Sequence, residues 1–317
     1  MRAALAGAAD SPGYPLTMGA PAVRAAITDW VSRSCGAAPG FGVLPTIGSK
    51  ELVAWLPTLL GLGPGDVVVI PSVCYPTYEV GARLAGAQVL RADSPADVAA
   101  PGRVRLVWAN SPGNPTGAVA SAAQLREVVN WARERGAVLA SDECYLPLPF
   151  SERAVSVLSV CGGSHDGVLA VHSLSKRSNL AGYRAGFVAG DPALVARLLE
   201  VRKHAGMMVP APVQAAMVAA LGDEVHVAEQ RERYGRRRAV LRAALAAAGL
   251  RIEHSVAGLY LWCTRDEDCW STVDWFAGRG ILVAPGEFYG PTGARHVRVA
   301  LTASDERVAA AAERLVG

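Results

Sequence analysis

Lysine is scarce in this 317-residue chain, which contains 31 Lys and Arg residues but only three lysines, Lys50, Lys176 and Lys203. Arginine occupies the other basic positions. Because an arginine side chain stays protonated in proteins, only a lysine can be tuned to a free amine that attacks a carbonyl group. The scarcity therefore makes these three positions the first candidates for amine chemistry.

Further absences narrow the class of protein. No apolar run reaches the roughly 18 residues of a membrane span, and no basic segment precedes an apolar one at the N-terminus, so we expect neither a membrane span nor a signal peptide. The six cysteines form no CxxC pair and no Cys/His ligand spacing. They predict no metal site and free thiols in a reducing cytoplasm. The net charge is only +3, and we expect no nucleic-acid partner.

Short apolar runs alternate with helical patterns between residues 45 and 205. The runs cover residues 67–70, 104–109, 137–141 and 168–173. Each is bounded by turn residues, which is typical of parallel strands that are buried on both faces. The pattern predicts an α/β fold, in which a mostly parallel central sheet is flanked by helices.

Sequence patterns typical of helices occur before, between and after these apolar runs. We predict one helix from Pro21 to Ser34 and one from a capping box at Ser121 and Gln124 up to Arg135. Further helices are expected at residues 191–204 and 225–248. After residue 250 the order changes to strands at 251–256, 259–264, 281–284 and 296–301, with helices at 271–279 and after Ser304. This order predicts a smaller α+β unit.

The predicted domain organisation follows from that change of pattern. Residues 1–36 form an N-terminal segment, residues 37–235 a large domain, and residues 236–317 a small C-terminal domain.

Four polar segments follow predicted strands, at the sheet edge where open α/β proteins bind ligands. Gly48-Ser49-Lys50 stands before a predicted helix at residues 51–60, whose N-terminus can hold a phosphate. The turn Asn110–Gly117 can hold an amide rigidly toward a ligand oxygen. Taken alone, the first segment also fits an ordinary helix cap and the second an ordinary tight loop.

The other two segments contain ionisable groups. Asp142 follows a buried strand, where a carboxylate can pair with a protonated ring nitrogen or simply cap a helix. The fourth segment runs from Ser173 to Lys176 and is followed by Arg184. Its Ser-x-x-Lys pattern also occurs in penicillin-binding enzymes, but none of the three lysines is followed by the Thr-Gly or Ser-Gly that such enzymes need.

In chain order, these segments supply a phosphate cradle, donors to a phenolic oxygen, an acid for a ring nitrogen and an amine nucleophile. Pyridoxal 5′-phosphate requires this set of groups, because its phosphate is anchored, its aldehyde is captured as a Schiff base, and its ring acts as an electron sink while protonated. The sequence therefore predicts a pyridoxal phosphate site.

The motifs Asn-Pro-Thr-Gly, Asp-x-x-Tyr and Ser-x-Ser-Lys, with an arginine eight residues beyond the lysine, resemble those of the fold-type I, class I/II aminotransferases. The resemblance covers nearly the whole chain. It implies that Lys176 forms the Schiff base and moves the α-proton, and that Asp142 pairs with the ring nitrogen. It also implies that Tyr145 and Asn114 bind the phenolic oxygen.

The remaining implied roles concern the phosphate, the ring face and the substrate. The resemblance implies that Tyr75 stacks on the ring and that Arg298 clamps the substrate carboxylate through two parallel hydrogen bonds. It implies that Tyr14 reaches the partner subunit's phosphate in a homodimer with shared sites. The implied phosphate ligands are Ser49, the backbone of Lys50, Ser173 and Arg184.

The stretches SLSKRSNLAGYRAGFVAGD, RKHAGMMVPAPVQAAMVAALGD, AGLYLWCT and APGEFYGP are most similar to actinobacterial N-succinyldiaminopimelate aminotransferases. This similarity implies amino transfer between glutamate and N-succinyl-2-amino-6-oxoheptanedioate in lysine and diaminopimelate biosynthesis. Family members usually begin with a further N-terminal stretch that covers the substrate. Open alternatives are another class I/II aminotransferase, a pyridoxal phosphate β-lyase, and an inactive, N-terminally truncated fragment.

Overall fold

A computed structural model describes residues 1–99, 102–151 and 153–317. Its α-helices are α1 (Arg2–Gly7), α2 (Pro21–Trp30), α3 (Gly48–Leu59), α4 (Thr77–Leu84), α5 (Ala122–Glu134), α6 (Leu174–Arg177), α7 (Pro192–His204), α8 (Ala211–Leu221), α9 (Val225–Ala247), α10 (Cys269–Ala277) and α11 (Asp305–Val316). Its strands are β1 (Gly42–Ile47), β2 (Asp66–Ile70), β3 (Gln88–Arg91), β4 (Arg103–Asn110), β5 (Val138–Asp142), β6 (Val168–Ser173), β7 (Ala185–Gly190), β8 (Arg251–Glu253), β9 (Tyr260–Thr264), β10 (Ala284–Pro285) and β11 (Val297–Ala300).

A seven-stranded sheet in the order β1-β7-β6-β5-β4-β2-β3 forms the centre of the fold. Five strands run parallel to one another, namely β3, β2, β4, β5 and β6, whereas β7 is antiparallel to both β6 and β1. Every residue of β2, β6 and β7 is buried, as expected when helices cover both faces of a sheet. The predicted α/β fold with a mostly parallel sheet is confirmed.

Side-chain alternation along the strands divides the core into two layers. In β2, Val67 and Val69 belong to one buried cluster, while Val68 and Ile70 belong to the other. Successive strand residues point to opposite faces, so a run that is apolar throughout supplies both layers. This explains why the central strands appear in the sequence as continuous apolar runs.

A second, four-stranded sheet in the order β10-β11-β9-β8 is antiparallel throughout. Its apolar face packs with helices α9, α10 and α11 in a third core cluster, through residues such as Leu261, Leu245 and Phe276. The smaller α+β unit is confirmed. The division between residues 235 and 236 falls inside the unbroken helix α9, and these domain limits stay a prediction.

Polar side chains cap three of the predicted helices, and the caps predicted at Ser121 and Ser304 are confirmed. Ser121 and Gln124 form the expected reciprocal capping box at the start of α5. Asp191 caps α7, and Ser304 caps α11, each through its side-chain oxygen. A short polar side chain satisfies first-turn N–H groups in each case, which fixes where the helix begins.

Several predicted limits are wrong. The strand expected to reach residue 256 ends at Glu253, because His254 and Ser255 adopt left-handed φ angles of 49° and 57°. The strand expected at 281–284 lies instead at Ala284–Pro285. The first long helix is α-helical only to Trp30 and continues as a π-helix over Val31–Cys35.

The segment Gly48-Ser49-Lys50 is the first turn of α3 rather than a turn before it. Strand β1 leads directly into this helix, and the sequence pattern identified neither β1 nor β7, its antiparallel partner. Strand β1 contains Pro45, and β7 reads AGFVAG with mostly small residues, so neither resembles an isolated apolar strand. Within the described ranges, no helix combines the length and apolar character needed to cross a bilayer.

Candidate active site

The carboxyl ends of three parallel strands bring the predicted polar segments together. Asn110 ends β4, Asp142 ends β5 and Ser173 ends β6. Asn110 and Asp142 are directly paired in the sheet register, and the Asn110 side-chain amide donates to the Asp142 carbonyl at 2.9 Å. The predicted clustering at this sheet edge is therefore present.

Asp142 is the buried acid of the cluster. Its Oδ2 accepts a hydrogen bond from the Tyr78 hydroxyl at 2.8 Å, and its Oδ1 accepts one from the Cys144 backbone N–H at 3.2 Å. Burial raises the pKa of Asp142, while hydrogen bonds from Cys144 and Tyr78 and the positive charge of Lys176 act in the opposite direction. Burial and the polar partners therefore oppose each other at this carboxyl.

Two tyrosines lie close together where α4 begins. Tyr75 is half-buried, with the Lys50 ammonium 5.8 Å from its ring centroid. Tyr78 is fully buried, and the two rings meet edge to face at 5.8 Å. The sequence motifs did not include Tyr78. Its signal is the spacing of three residues from Tyr75 at a helix start, which places both residues on one side of the turn.

The start of α3 has the features of an anion site. Its N-cap residue, Ile47, offers no side-chain hydrogen bond to the first-turn N–H groups. Gly48 is left-handed with φ 71°, and the Arg184 guanidinium lies so close that a β-carbon at this glycine would collide with it. Free N–H groups, a helix dipole and a guanidinium together attract a phosphate. Ser49 in the same turn accepts a hydrogen bond from the Cys144 thiol at 3.2 Å.

Ser173 and Lys176 lie on the adjoining strand-to-helix turn. The Ser173 hydroxyl is buried and accepts a hydrogen bond from the Ser175 backbone N–H at 3.1 Å, which caps the short helix α6. Lys176 is half-buried in α6. Its positive charge acts to lower the pKa of both Asp142 and Cys144, against the effect of burial.

Arg298, on β11, comes from the smaller sheet and meets the Asn-Pro-Thr-Gly turn. Its Nη1 donates to the Asn114 Oδ1 at 2.9 Å. The guanidinium carbon lies 3.9 Å from the Tyr260 ring centroid and 4.9 Å from that of Tyr289. The Nε atom is buried and has no hydrogen-bond partner within the described part of the chain. A carboxylate ligand could satisfy that unpaired donor.

The other predicted residues have different surroundings. The Tyr145 hydroxyl is 3.2 Å from that of Tyr260, and burial raises the pKa of Tyr145. Tyr14 stands apart from the cluster and is 95% exposed. No role was predicted for Tyr260 or Tyr289 from the sequence, although the stretches AGLYLWCT and APGEFYGP contain them.

A second buried polar cluster lies on the opposite face of the sheet. Potential ligand atoms of Cys35, Glu143 and His172 all lie within 4.8 Å of one another, which no sequence spacing indicated. Glu143 Oε1 accepts hydrogen bonds from Ser141 and Val157, whereas no described residue donates to its Oε2. Burial raises the pKa of Glu143 to about 7 and lowers that of His172 to about 3. The absence of a metal stays a prediction.

The chain matches the family model "Aminotransferase class I and II" over residues 8–315. It is 60% identical to the 4-dedimethylamino-4-oxo-anhydrotetracycline transaminase OxyQ of Streptomyces rimosus, over 99% of this chain and 88% of that protein. It is also 60% identical to the "Probable aminotransferase Rv1178" of Mycobacterium tuberculosis, over 98% of this chain and 75% of that protein.

One similar solved structure comes from Thermus thermophilus and is described as a "probable N-succinyldiaminopimelate aminotransferase". The match has a TM-score of 0.90 and 31% identity, and it covers 99% of this chain and 89% of the other.

Glu143→Gln should make stability less dependent on pH. The folded-state pKa of Glu143, about 7, lies above its ordinary value of 4.5. Its contribution is therefore fully present below about pH 4.5 and is lost as the pH rises through about 7. Between pH 5 and pH 8 we expect wild type to lose about 2–3 kcal/mol relative to the variant. Urea unfolding at both pH values measures the difference, and equal pH slopes would contradict it.

Proposed function

The chain belongs to the class I and II aminotransferase family and is a pyridoxal 5′-phosphate-dependent transaminase, and from this premise we propose which residues bind the cofactor and which substrates react. The contacts at the carboxyl edge of the sheet support the assignment of residues. The relatives named as transaminases favour amino transfer over the β-lyase alternative.

The site residues fit the cofactor on three features of this structure. The uncapped first turn of α3 and the Arg184 guanidinium suit its phosphate. The half-buried ring of Tyr75 suits its ring face. The buried carboxylate of Asp142 suits its pyridine nitrogen, because an anion in a low-dielectric site strongly favours a nearby proton. Ser49, Lys50 and Ser173 complete the proposed phosphate site from the adjoining turns.

When bound, pyridoxal phosphate supplies an electrophilic carbon and an electron-accepting ring. We propose that Lys176 binds that carbon in the resting enzyme and carries the α-proton of the substrate. Asp142 would pair with the ring nitrogen, and the positive charge of Lys176 favours its carboxylate form. Asn114 and Tyr145 would orient the ring by donating hydrogen bonds to its phenolic oxygen.

Arg298 is the proposed anchor for the substrate carboxylate. Its buried Nε lacks a partner among the described residues, and the rings of Tyr260 and Tyr289 lie close to its guanidinium. A carboxylate that binds both Nε and a terminal nitrogen would supply the missing acceptor and satisfy the fork geometry of the side chain. The unpaired Nε of Arg298 is therefore the observation that carries the proposal of an α-amino acid donor such as glutamate.

Lys176→Ala should abolish transamination while leaving the fold intact. The side chain supplies both the amine and the proton carrier, and no other lysine of the chain lies at this edge of the sheet except the exposed Lys50. We expect at least a thousandfold loss of kcat and loss of the absorbance of the lysine-bound cofactor. Lys203→Ala is the matched control, since Lys203 pairs with Glu200 on the surface of α7. Normal turnover in Lys176→Ala would refute the role.

Two amino acceptors have support. The Thermus structure favours N-succinyl-2-amino-6-oxoheptanedioate, the acceptor in lysine and diaminopimelate biosynthesis, because that protein is described as a succinyldiaminopimelate enzyme. The 60% identity to OxyQ favours a 4-oxo-anhydrotetracycline. Identity supports the second acceptor more strongly, while the Arg298 anchor suits an acceptor that carries an α-carboxylate. Both acceptors are compatible with glutamate as the donor.

A two-step titration should separate the acceptors. The holoenzyme is first converted with glutamate to its amino form, and each candidate acceptor is then added in a single turnover while cofactor absorbance is followed. We expect rapid return of the starting spectrum with the succinylated oxo acid and a rate at least tenfold lower with the tetracycline ketone. The reverse order would assign the OxyQ-like activity. No reaction with either acceptor would exclude both.

We propose a homodimer in which Tyr14 completes the partner's phosphate site. Tyr14 is 95% exposed, and Leu16 and Met18 in the same segment are also 57% and 39% exposed. Large exposed apolar side chains clustered on one segment are typical of an interaction surface.

All six cysteines are buried and free, which supports a reducing cytosol as the compartment.

Mixed dimers should test the shared site. Tyr14→Ala and Lys176→Ala homodimers are each expected to be nearly inactive. In a mixed dimer, the subunit with intact Lys176 receives Tyr14 from its partner, so one complete site forms. We expect up to a quarter of wild-type activity after denaturation and equimolar refolding, if subunits pair at random. Unchanged activity on mixing would contradict the shared site, and light scattering would report the oligomeric state independently.

A further inference from the structure

We propose that Tyr78 is a positioning residue for amino transfer, because its hydroxyl holds the Asp142 carboxylate ionised and aimed at the cofactor ring. The inference rests on the proposed role of Asp142 and assigns a function to a residue outside the motifs that indicated the site. The hydroxyl of Tyr78 donates to Asp142 Oδ2 at 2.8 Å. Within the described residues, it is the only hydrogen-bond donor to that oxygen.

The position of this hydroxyl is tightly constrained. Tyr78 is 0% exposed, and its ring stacks on Trp108 with 4.8 Å between centroids and 17° between planes. The Tyr75 ring meets it edge to face on another side, and the Tyr78 backbone N–H donates to the Tyr75 carbonyl at 3.1 Å. A fully packed ring has no alternative rotamer to occupy. The phenol can therefore point only to the acid.

The same packing connects two parts of the proposed site. Tyr75 is the residue proposed to cover the ring face, and Tyr78 holds the acid proposed to bind the ring nitrogen. Both belong to one turn at the start of α4, so the spacing between ring face and acid is fixed by a single piece of backbone. The other carboxylate oxygen is held separately, by the Cys144 backbone N–H at 3.2 Å.

Burial gives this hydrogen bond its importance. A buried carboxyl favours its neutral form unless donors or positive charge compensate, and burial is the largest influence on the pKa of Asp142. The titratable groups that act on Asp142 are Tyr78 from α4, Cys144 from its own loop and Lys176 from α6, and its charge in turn acts on Glu143 and Tyr145. The largest influences that lower its pKa come from Cys144, Tyr78 and Lys176.

Tyr78→Phe tests the proposal, because it removes the hydroxyl and keeps the packed ring. The pKa of Asp142 should rise, so the acidic limb of the kcat profile should move to higher pH. We expect kcat to fall about tenfold near pH 6 and less near pH 8, while KM for glutamate changes less than about twofold. The spectroscopic titration of bound cofactor should shift in the same direction. An unchanged acidic limb would overturn the proposal.

A double-mutant cycle distinguishes positioning from general destabilisation. If Tyr78 acts through the carboxylate, adding Tyr78→Phe to Asp142→Asn should change the rate of the glutamate half-reaction less than about twofold. If Tyr78→Phe lowers this rate in the Asp142→Asn background by as much as it does in the wild-type enzyme, the proposal is overturned. Tyr234→Phe is a matched control, since Tyr234 is 4% exposed and its hydroxyl donates to Asn179 at 3.2 Å rather than to Asp142. We expect a wild-type pH profile from it.

The outcomes also separate this inference from the proposed function. A wild-type enzyme that shows no spectral change with glutamate would refute the assigned substrate class. An active wild type with an identical Tyr78→Phe profile would refute only the role of Tyr78. Thermal unfolding of the variant without substrate reports whether the fold is preserved. A lower melting temperature together with an unshifted acidic limb of the kcat profile would assign Tyr78 a structural role and overturn the proposal.

Discussion

The parallel alignment of β4, β5 and β6 is the constraint on which the site depends. Because these strands run in the same direction, Asn110, Asp142 and Ser173 end at one edge of the sheet, and helices cover both faces behind them. Burial of the strands sets the chemistry as well as the position. A carboxylate at the end of a fully buried strand has lost its water and must be compensated by nearby donors or charge.

Asp142 and its neighbour Glu143 show how the sheet separates two identical functional groups. Successive residues point to opposite faces, so Asp142 meets Tyr78 and the charge of Lys176, while Glu143 meets His172 and Cys35. Burial raises the pKa of both acids. The positive charge of Lys176 is among the main influences that lower the pKa of Asp142 but not of Glu143, and this difference makes Asp142 the acid suited to hold a protonated ring nitrogen.

Much of the fold was predictable from local pattern. The runs that became β2, β4, β5 and β6 are uninterrupted apolar segments, and short polar caps fixed the starts of α5, α7 and α11. Strands β1 and β7 were missed because they contain proline or small residues and are stabilised by pairing with each other. Strand β8 was predicted too long, since the left-handed backbone at His254 and Ser255 has no clear signal in those residue types.

Residue types and their order along the chain were enough to identify the cofactor chemistry, because lysine, acid, asparagine and arginine occur in motifs whose order and strand-end placement suit pyridoxal phosphate. Tertiary structure alone decided the partners of those groups. Tyr78 reaches Asp142 across 64 positions, and Arg298 reaches Asn114 across 184. Such contacts depend on how strands and sheets pack, and residue identity along the chain carries no record of them. The motifs therefore specify which groups react, while the packing specifies what holds each one in place.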